Sequence, residues 1–400
     1  MKKKISVHDV AYGMWVSELD RPWVGTPFLF QGFEISSPDE IETLRGLCEY
    51  VYIDTELGGD GNAAAINHSP EATPSDEKTP TREIQAPVEE ELEPAKEIYK
   101  NSKIALAELM DSVQLDKKVD AQQVNRIVTD LAASVARNPD ALNLLTRLKT
   151  KDSYTYSHCL DVCALALVFG RHLGLSKEEL DILGTGTLLL DIGKMRLPRE
   201  LLEKVGRLTP AEFKVIKTHV MHSVDIMSST NGIPSGSIEI AYTHHERNNG
   251  SGYPRKLAGS EIPVFGKLAA IIDCYDAMTS EKAYRPAISS HKALRKIYAQ
   301  KDEHFQDVLV EQFIQCLGVY PVGSLVELST GEVGVVLSQN RVRRLRPKIM
   351  VILDKNKKPT GAAPIVDLMT ELTDSSGNSL HIKEVVEPSA YGIDPKEFFL

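Results

Sequence analysis

The chain has 400 residues, 42% of them hydrophobic and 26% charged, with a formal net charge of -10. That length allows two or three domains with at least one large core, and the acidic balance excludes a general affinity for nucleic-acid backbone while leaving room for a local anion pocket. No apolar run is long enough to cross a bilayer, and the basic start Met1-Lys2-Lys3-Lys4 lacks a following apolar signal region, so a cytoplasmic location is expected.

In chain order, residues 1–57 read as a small β-containing domain. Met14-Trp15-Val16 and Pro27-Phe28-Leu29-Phe30 are bounded by Gly and Pro, and Val51-Tyr52-Ile53 closes the segment. Residues 58–94 turn to Asn, Ala, Ser, Pro, Thr and Glu and bury too little to offset ordering entropy, so a disordered linker is expected, with Glu89-Glu90-Glu91 as solvated charges. Helical periodicity begins near Pro94, where Ile98, Ile104, Leu106 and Leu109 recur among charged residues. Asp120 reads as the N-cap of a second amphipathic stretch through Val124, Ile127, Val128 and Leu131. Residues 95–141 are thus connecting helices, and 142–318 form one large helical domain. From 319 to 400 the texture is β: Leu325-Val326-Glu327-Leu328, a turn at Thr330-Gly331, Val333 to Leu337, and Ile349 to Leu353. This extension is expected to pack on the helical domain. The five cysteines, Cys48, Cys159, Cys163, Cys274 and Cys316, are too irregular for a disulfide framework or a CxxC zinc site and suit reduced, buried thiols.

Chemistry-bearing residues concentrate in the helical domain. The apolar pattern from Ile238 to Tyr242 fits the end of a buried helix that presents His244 and His245 at its C-terminal edge. Adjacent helical residues point about 100° apart, so the pair serves one ion only with some rotation, or divides between an ion and a substrate. The loop Asn248-Asn249-Gly250-Ser251-Gly252-Tyr253-Pro254 follows, its glycines permitting left-handed dihedrals and close approach to a ligand; an ordinary surface turn is the bland alternative. Upstream lie His158, the run Leu190-Asp191-Ile192-Gly193-Lys194 and His219; downstream lies Asp273. Scattered imidazoles and carboxylates suit a hard or borderline divalent cation. Bland readings cover the rest: Leu190 as a core residue extending Leu188-Leu189, His222 and His291 at the surface, Asp161 behind the site or at the surface, and His172 near a helix C-terminus.

Together, Asp191-Ile192-Gly193-Lys194, the intact Gly252-Tyr253-Pro254 and Ala270-Ile271-Ile272-Asp273-Cys274-Tyr275-Asp276-Ala277-Met278-Thr279 closely resemble the HD-GYP family, bacterial cyclic di-GMP phosphodiesterases on the HD metal-hydrolase fold. The resemblance runs from about Tyr154 to Gly318, and the segment ahead is similar to the N-terminal domain of unknown function that often precedes such domains. It implies a mainly α protein: an HD-type helical bundle with a small β-rich N-terminal domain and a C-terminal β appendage. It further implies two divalent ions, iron or manganese, held by His158, a bridging Asp191, His219, His244, His245 and Asp273. Lys194 falls near the scissile phosphate, Arg285 where a substrate-facing cation stands, and Lys282, Gly252, Tyr253 and Pro254 in the substrate-binding set. The implied partners are cyclic di-GMP and, through the Gly-Tyr-Pro loop, diguanylate cyclases of the GGDEF type.

Departures accompany the match. Leu190 replaces the family's motif histidine, a ligand that the resemblance assigns to the same ion as His158 and Asp273, whereas the set Asp191, His219, His244 and His245 is complete. Tyr154 stands where members with a third ion carry Glu, which limits the centre to two. Asn249 replaces an Asp, and Lys282-Ala283 an Arg-Pro. The expectations are a phosphodiesterase opening cyclic di-GMP to pGpG, with onward hydrolysis to GMP left open, or a degenerate receptor that binds without cleaving; a nucleotide phosphatase on the general HD fold comes third.

Overall fold

Alternation of apolar and polar residues puts Val51 and Ile53 on the inner face of β4 (Tyr50–Asp54), the central partner of β1 (Lys2–Ser6) and β2 (Trp15–Leu19). With β3 (Phe33–Glu34) these form an antiparallel sheet of order β1-β4-β2-β3, and α1 (Pro38–Leu47) supplies Leu44 to a core with Val7, Val16, Ile35, Val51 and Ile53. In this computed structural model the described residues are 2–21, 33–35, 38–55, 84–147, 154–204, 206–281, 287–340, 343–361, 363–370, 373, 377, 379–387 and 390–392. The strand expected at Pro27–Phe30 and the cations Lys282 and Arg285 lie outside them, as does the side chain of Tyr154.

Two compact units emerge, one of residues 1–79, 326–334 and 339–385, the other of 80–325, 335–338 and 386–400. The expected C-terminal β texture is present: β5 (Leu325–Leu328), β6 (Val333–Ser338), β7 (Lys348–Leu353), β8 (Ile365–Asp367) and β9 (Ile382–Val386) form a sheet of order β8-β7-β6-β5-β9. Gly331, at φ 89°, makes the turn between β5 and β6. Most of this segment groups with the N-terminal residues, whereas 319–325, 335–338 and 386–400 group with the helices. Arg346 shows one cause: it is buried, its guanidinium donates to the carbonyls of Leu368 and Leu380, and it reaches Glu42 of α1 at 3.4 Å.

The second unit is helical: α2 (Val88–Gln114), α3 (Ala121–Arg137), α4 (Pro139–Arg147), α5 (Tyr154–His172), α6 (Lys177–Leu189), α7 (Arg199–Leu202), α8 (Pro210–Ile216), α9 (His219–Ser228), α10 (Ser235–Thr243), α11 (Val264–Thr279), α12 (Ser290–Tyr298) and α13 (Asp307–Leu317). Asp120 caps α3 as expected, accepting from the Gln122 and Gln123 amides. Helix α5 is buried from Cys159 to Phe169 and apolar there except for Asp161, packed between α6, α11 and α3. Gly186 of α6 allows α10 to approach closely, because a Cβ there would stand 2.6 Å from the Ile240 side chain. Among the described residues no helix is long and apolar enough to cross a membrane. All five cysteines are free, and Cys48, Cys159 and Cys163 are buried.

Helix α2 starts at Val88, inside the segment expected to be linker, and continues through Pro94. Glu91 explains why: it is 2% exposed and accepts from Ser134 Oγ at 2.6 Å and from Arg137 Nε and Nη2 at 2.6 and 2.8 Å on α3. It is a tie between helices, not a solvated charge. Glu91→Ala is expected to cost about 2 kcal/mol, because it strands a buried hydroxyl and a guanidinium, and to lower Tm by several degrees in a thermal melt. Other expectations shift too. Ile104 is 52% exposed, so the inner face of α2 is carried by Leu106, Leu109 and Met110. Asp161 is fully buried and accepts from the Tyr99 hydroxyl at 2.6 Å, and His291 is half-buried against the Val319 carbonyl at 3.3 Å rather than at the surface.

Candidate metal centre

Helices α5, α6, α9, α10 and α11 aim polar side chains from their ends and inner faces into one apolar interior. Helix α6 ends at Leu189; Leu190 follows it, fully buried, and Asp191 leads into a 3-10 turn, Ile192–Arg196. That turn lies against the start of α9 because residue 193 is glycine: a Cβ there would meet the His219 carbonyl oxygen at 2.1 Å and the Ser223 amide nitrogen at 2.4 Å. Ser223 fastens the contact, its Oγ donating to the Leu190 carbonyl at 2.8 Å and accepting from the Gly193 amide at 2.9 Å. Asp191 and His219 are thereby brought together, His219 Nε2 standing 3.1 Å from Asp191 Oδ1.

Two histidines of this group have their orientation set by the backbone. His219 Nδ1 donates to the Ile216 carbonyl at 2.7 Å and His244 Nδ1 to the Ala241 carbonyl at 2.8 Å, which leaves the Nε2 lone pairs turned inward. His244 caps α10, and His245 lies just past its end, so the chain turn supplies the rotation that a regular helix would deny the pair; their rings sit 4.0 Å apart. One donor atom from each of Asp191, His219, His244 and His245 lies within 4.8 Å of every other. Donors around one ion at about 2.1 Å would be spaced by roughly 3 to 4 Å, so the set fits a divalent cation. Asp191 Oδ1, His219 Nε2 and His244 Nε2 are all buried without a hydrogen-bond partner, which is costly unless something binds there.

The electrostatics agree. Burial opposes ionisation of Asp191, but Lys194, His219 and His158 outweigh it and hold the carboxyl well below its ordinary range. Burial pushes His244 down to about 4, and burial together with His244 holds His245 well below its ordinary range. An anionic carboxylate and neutral imidazoles near pH 7 are the forms that ligate metals.

His158 and Asp273 also reach the centre, in a different state. His158 Nε2 meets Asp273 Oδ1 at 3.0 Å and lies 3.6 Å from Asp191 Oδ2, while Nδ1 meets Asp276 Oδ2 at 2.7 Å. Burial alone would lower this histidine, yet the two carboxylates raise it to about 9. Asp276 was not among the residues singled out from sequence. Spaced three residues from Asp273 on one face of α11, it is fixed by Arg147 at 3.3 Å and by Ser280. Lys194, expected near the scissile phosphate, places Nζ on Asp191 Oδ2.

The Gly-Tyr-Pro loop packs beneath this group. Tyr253 stacks on His245 with ring centroids 4.6 Å apart, and its amide donates to the His245 carbonyl at 3.2 Å. Gly252 serves the protein's own backbone rather than a ligand: a Cβ would meet Glu246 Cα at 2.4 Å and the Arg247 nitrogen at 2.5 Å. Asn249 does what an Asp could do, its Oδ1 accepting from the Ser251 amide at 3.0 Å. Glu246, also passed over in the sequence, is 1% exposed and folds the loop back by accepting from the Arg255 and Leu257 amides at 2.7 and 3.1 Å. Glu246→Ala is expected to release the loop and lower kcat/KM about tenfold or more, with metal content unchanged because the carboxylate touches no donor; parallel kinetics and metal analysis check this.

Comparison with known proteins places these observations. The HD domain family matches residues 126–309, a domain of unknown function (DUF3391) matches 2–124, and a KOW domain associated with HD domain matches 325–391. The cyclic di-GMP phosphodiesterase PA4108 of Pseudomonas aeruginosa is 32% identical over 370 residues, 92% of this chain and 89% of that protein. A cyclic di-GMP phosphodiesterase of Thermotoga maritima is 35% identical over 177 residues, 44% of this chain and 48% of that one. The 3'3'-cGAMP-specific phosphodiesterase 2 of Vibrio cholerae is 32% identical over 174 residues, 43% and 33% of the two chains. With a relative this similar along nearly its whole length, and with a mainly helical HD unit flanked by small β-sheets, the chain belongs to the HD-GYP family of HD-domain proteins.

Proposed function

We propose that the protein is a metal-dependent phosphodiesterase that opens cyclic di-GMP to linear pGpG, with the helical unit as its catalytic part. The observation that carries this reading is the inward-facing set Asp191 Oδ1, His219 Nε2 and His244 Nε2, buried and unpartnered, with His245 completing it. The similarity to a cyclic di-GMP phosphodiesterase along 89% of that protein's length supports the choice of substrate.

A divalent cation held by these residues supplies Lewis acidity toward the phosphoryl oxygens and makes water nucleophilic at neutral pH. Asp191 provides the anionic donor, kept ionised by Lys194 and the neighbouring imidazoles. Neutral His244 and His245 complete the set, and Tyr253 holds the His245 ring in place. Lys194 offers an ammonium beside the centre to neutralise charge on the departing 3'-oxygen. In the reaction a water oxygen bonds to phosphorus, the bond from phosphorus to one 3'-oxygen breaks, and that oxygen takes up a proton. A second hydrolysis would carry pGpG on to GMP. The all-nitrogen and oxygen donor set favours iron or manganese. A GGDEF partner meeting the loop would find Ser251 and Lys256 exposed, since Gly252 is buried against the chain itself.

The test uses full-length protein purified anaerobically, loaded with Fe(II) or Mn(II), and given cyclic di-GMP or 3'3'-cGAMP, with products separated by anion exchange. Faster conversion of cyclic di-GMP to its linear form is expected. Preference for 3'3'-cGAMP would overturn the substrate assignment.

A further inference from the structure

We infer that this centre holds a single divalent ion, in the set Asp191, His219, His244 and His245, and that the Lys194 ammonium stands where a second cation would otherwise sit. The inference rests on the proposed hydrolase reading and fixes how its site is charged.

The geometry divides Asp191 between two sides. Oδ1 faces His219 Nε2 at 3.1 Å and His244 Nε2 at 4.0 Å, whereas Oδ2 is bonded by Lys194 Nζ. On the Oδ1 side the donor atoms are buried and lack partners. On the Oδ2 side the candidate donors already have them. His158 has both ring nitrogens engaged, Nδ1 with Asp276 at 2.7 Å and Nε2 with Asp273 at 3.0 Å, so no lone pair is free for an ion without breaking a buried hydrogen bond. Leu190 contributes hydrocarbon where a further nitrogen would be needed, and its side chain is fully buried. Its backbone is also pinned by Ser223.

Charge balance leads to the same arrangement. The carboxylates of Asp191, Asp273 and Asp276 cluster around His158, and two of them have a permanent cation beside them: Asp191 has Lys194, and Asp276 has Arg147 at 3.3 Å. A second divalent ion bound to Asp191 Oδ2 would have to displace the ammonium or sit beside it in a poorly screened interior, where like charges repel strongly. Lys194 is tied to this place by its own backbone, its amide donating to the Asp191 carbonyl at 2.9 Å within the 3-10 turn. A lysine already at the carboxylate oxygen needs no metal to neutralise it. In this arrangement His158, with Asp273 and Asp276 on its two ring nitrogens, becomes a positioning residue beside the Asp191 carboxylate, and the ion depends on Asp191, His219, His244 and His245.

Manganese alone tests this. Full-length protein loaded anaerobically with excess Mn(II) and then desalted is expected to retain one Mn per chain, with the six-line electron paramagnetic resonance signal of an isolated ion. Two Mn per chain with an exchange-coupled multiline signal would overturn the inference while leaving the hydrolase reading intact; no retained Mn would overturn both. His219→Gln is expected to lose the ion and His158→Gln to keep it, each read on protein whose circular dichroism matches the parent. Loss of the ion from a folded His158→Gln chain would contradict the division. The double variant Leu190→His with Lys194→Met restores a donor and removes the ammonium, so it is expected to gain a second, coupled Mn; a persistent single-ion signal would overturn the role given to Lys194.

Discussion

Asp191→Asn is expected to lower kcat/KM for cyclic di-GMP by about 10³-fold or more, equivalent to roughly 4 kcal/mol of transition-state stabilisation, and to empty the metal centre. One carboxylate serves both halves of the site. Oδ1 is the only anionic donor in the group with His219, His244 and His245, and Oδ2 is the counter-charge for Lys194. An amide keeps the shape but loses the charge, so the ion is held by neutral imidazoles alone and the ammonium is left without its partner. Asp276→Asn provides the contrast. Asp276 meets the centre through His158, so a loss of about 10 to 100-fold with the ion retained is expected, as for groups that orient ligands rather than bind metal. Kinetics and metal content measured side by side check both; an Asp191→Asn protein within tenfold of the parent would contradict the role assigned to it.

Gly193→Ala is expected to cost at least about 100-fold in turnover and to weaken metal retention, although no polar atom is removed. The added methyl would sit 2.1 Å from the His219 carbonyl oxygen and 2.4 Å from the Ser223 nitrogen, both backbone atoms that cannot rotate away. The turn carrying Asp191 and Lys194 must therefore separate from α9, which carries His219, and a shift of about 1 Å is enough to lose on the order of 100-fold in rate. Gly46→Ala is the control. Nothing lies within 4 Å of a Cβ there, and the residue is inside α1, so unchanged turnover and equal or slightly higher stability are expected. A Gly193→Ala protein with normal turnover would show that the close approach of the turn to α9 does not set the donor geometry.

The residues that the structure gathers at the centre stand out in the sequence, because His244-His245 at the end of an apolar helix and Asp191 in its motif are local patterns. Asp120 was legible for the same reason, a capping side chain next to its own amides. What escaped is non-local. Glu91 reads as one acid in a charged run until α3 places Ser134 and Arg137 over it. Nothing local gives Asp276 or Glu246 a role; the fold does, burying them against His158 and against the 255–257 backbone. Glycine was visible at 193 and 252, but its reason was not: at both positions the close neighbour is the protein's own backbone. The grouping of the C-terminal strands with the N-terminal sheet was equally hidden, since β-patterning fixes which face is buried but not against what.

Leu190 bears on the central question of whether the centre cleaves its nucleotide or only holds it. A single-turnover experiment decides it, with protein in excess over cyclic di-GMP, followed with Mn(II) present, after chelation, and after Mn(II) is restored. Linear dinucleotide is expected to form only in the two metal-containing arms and to regain its rate on restoration. Cyclic di-GMP recovered intact from a tight complex with the Mn(II)-loaded protein would contradict the hydrolase reading and identify a receptor instead.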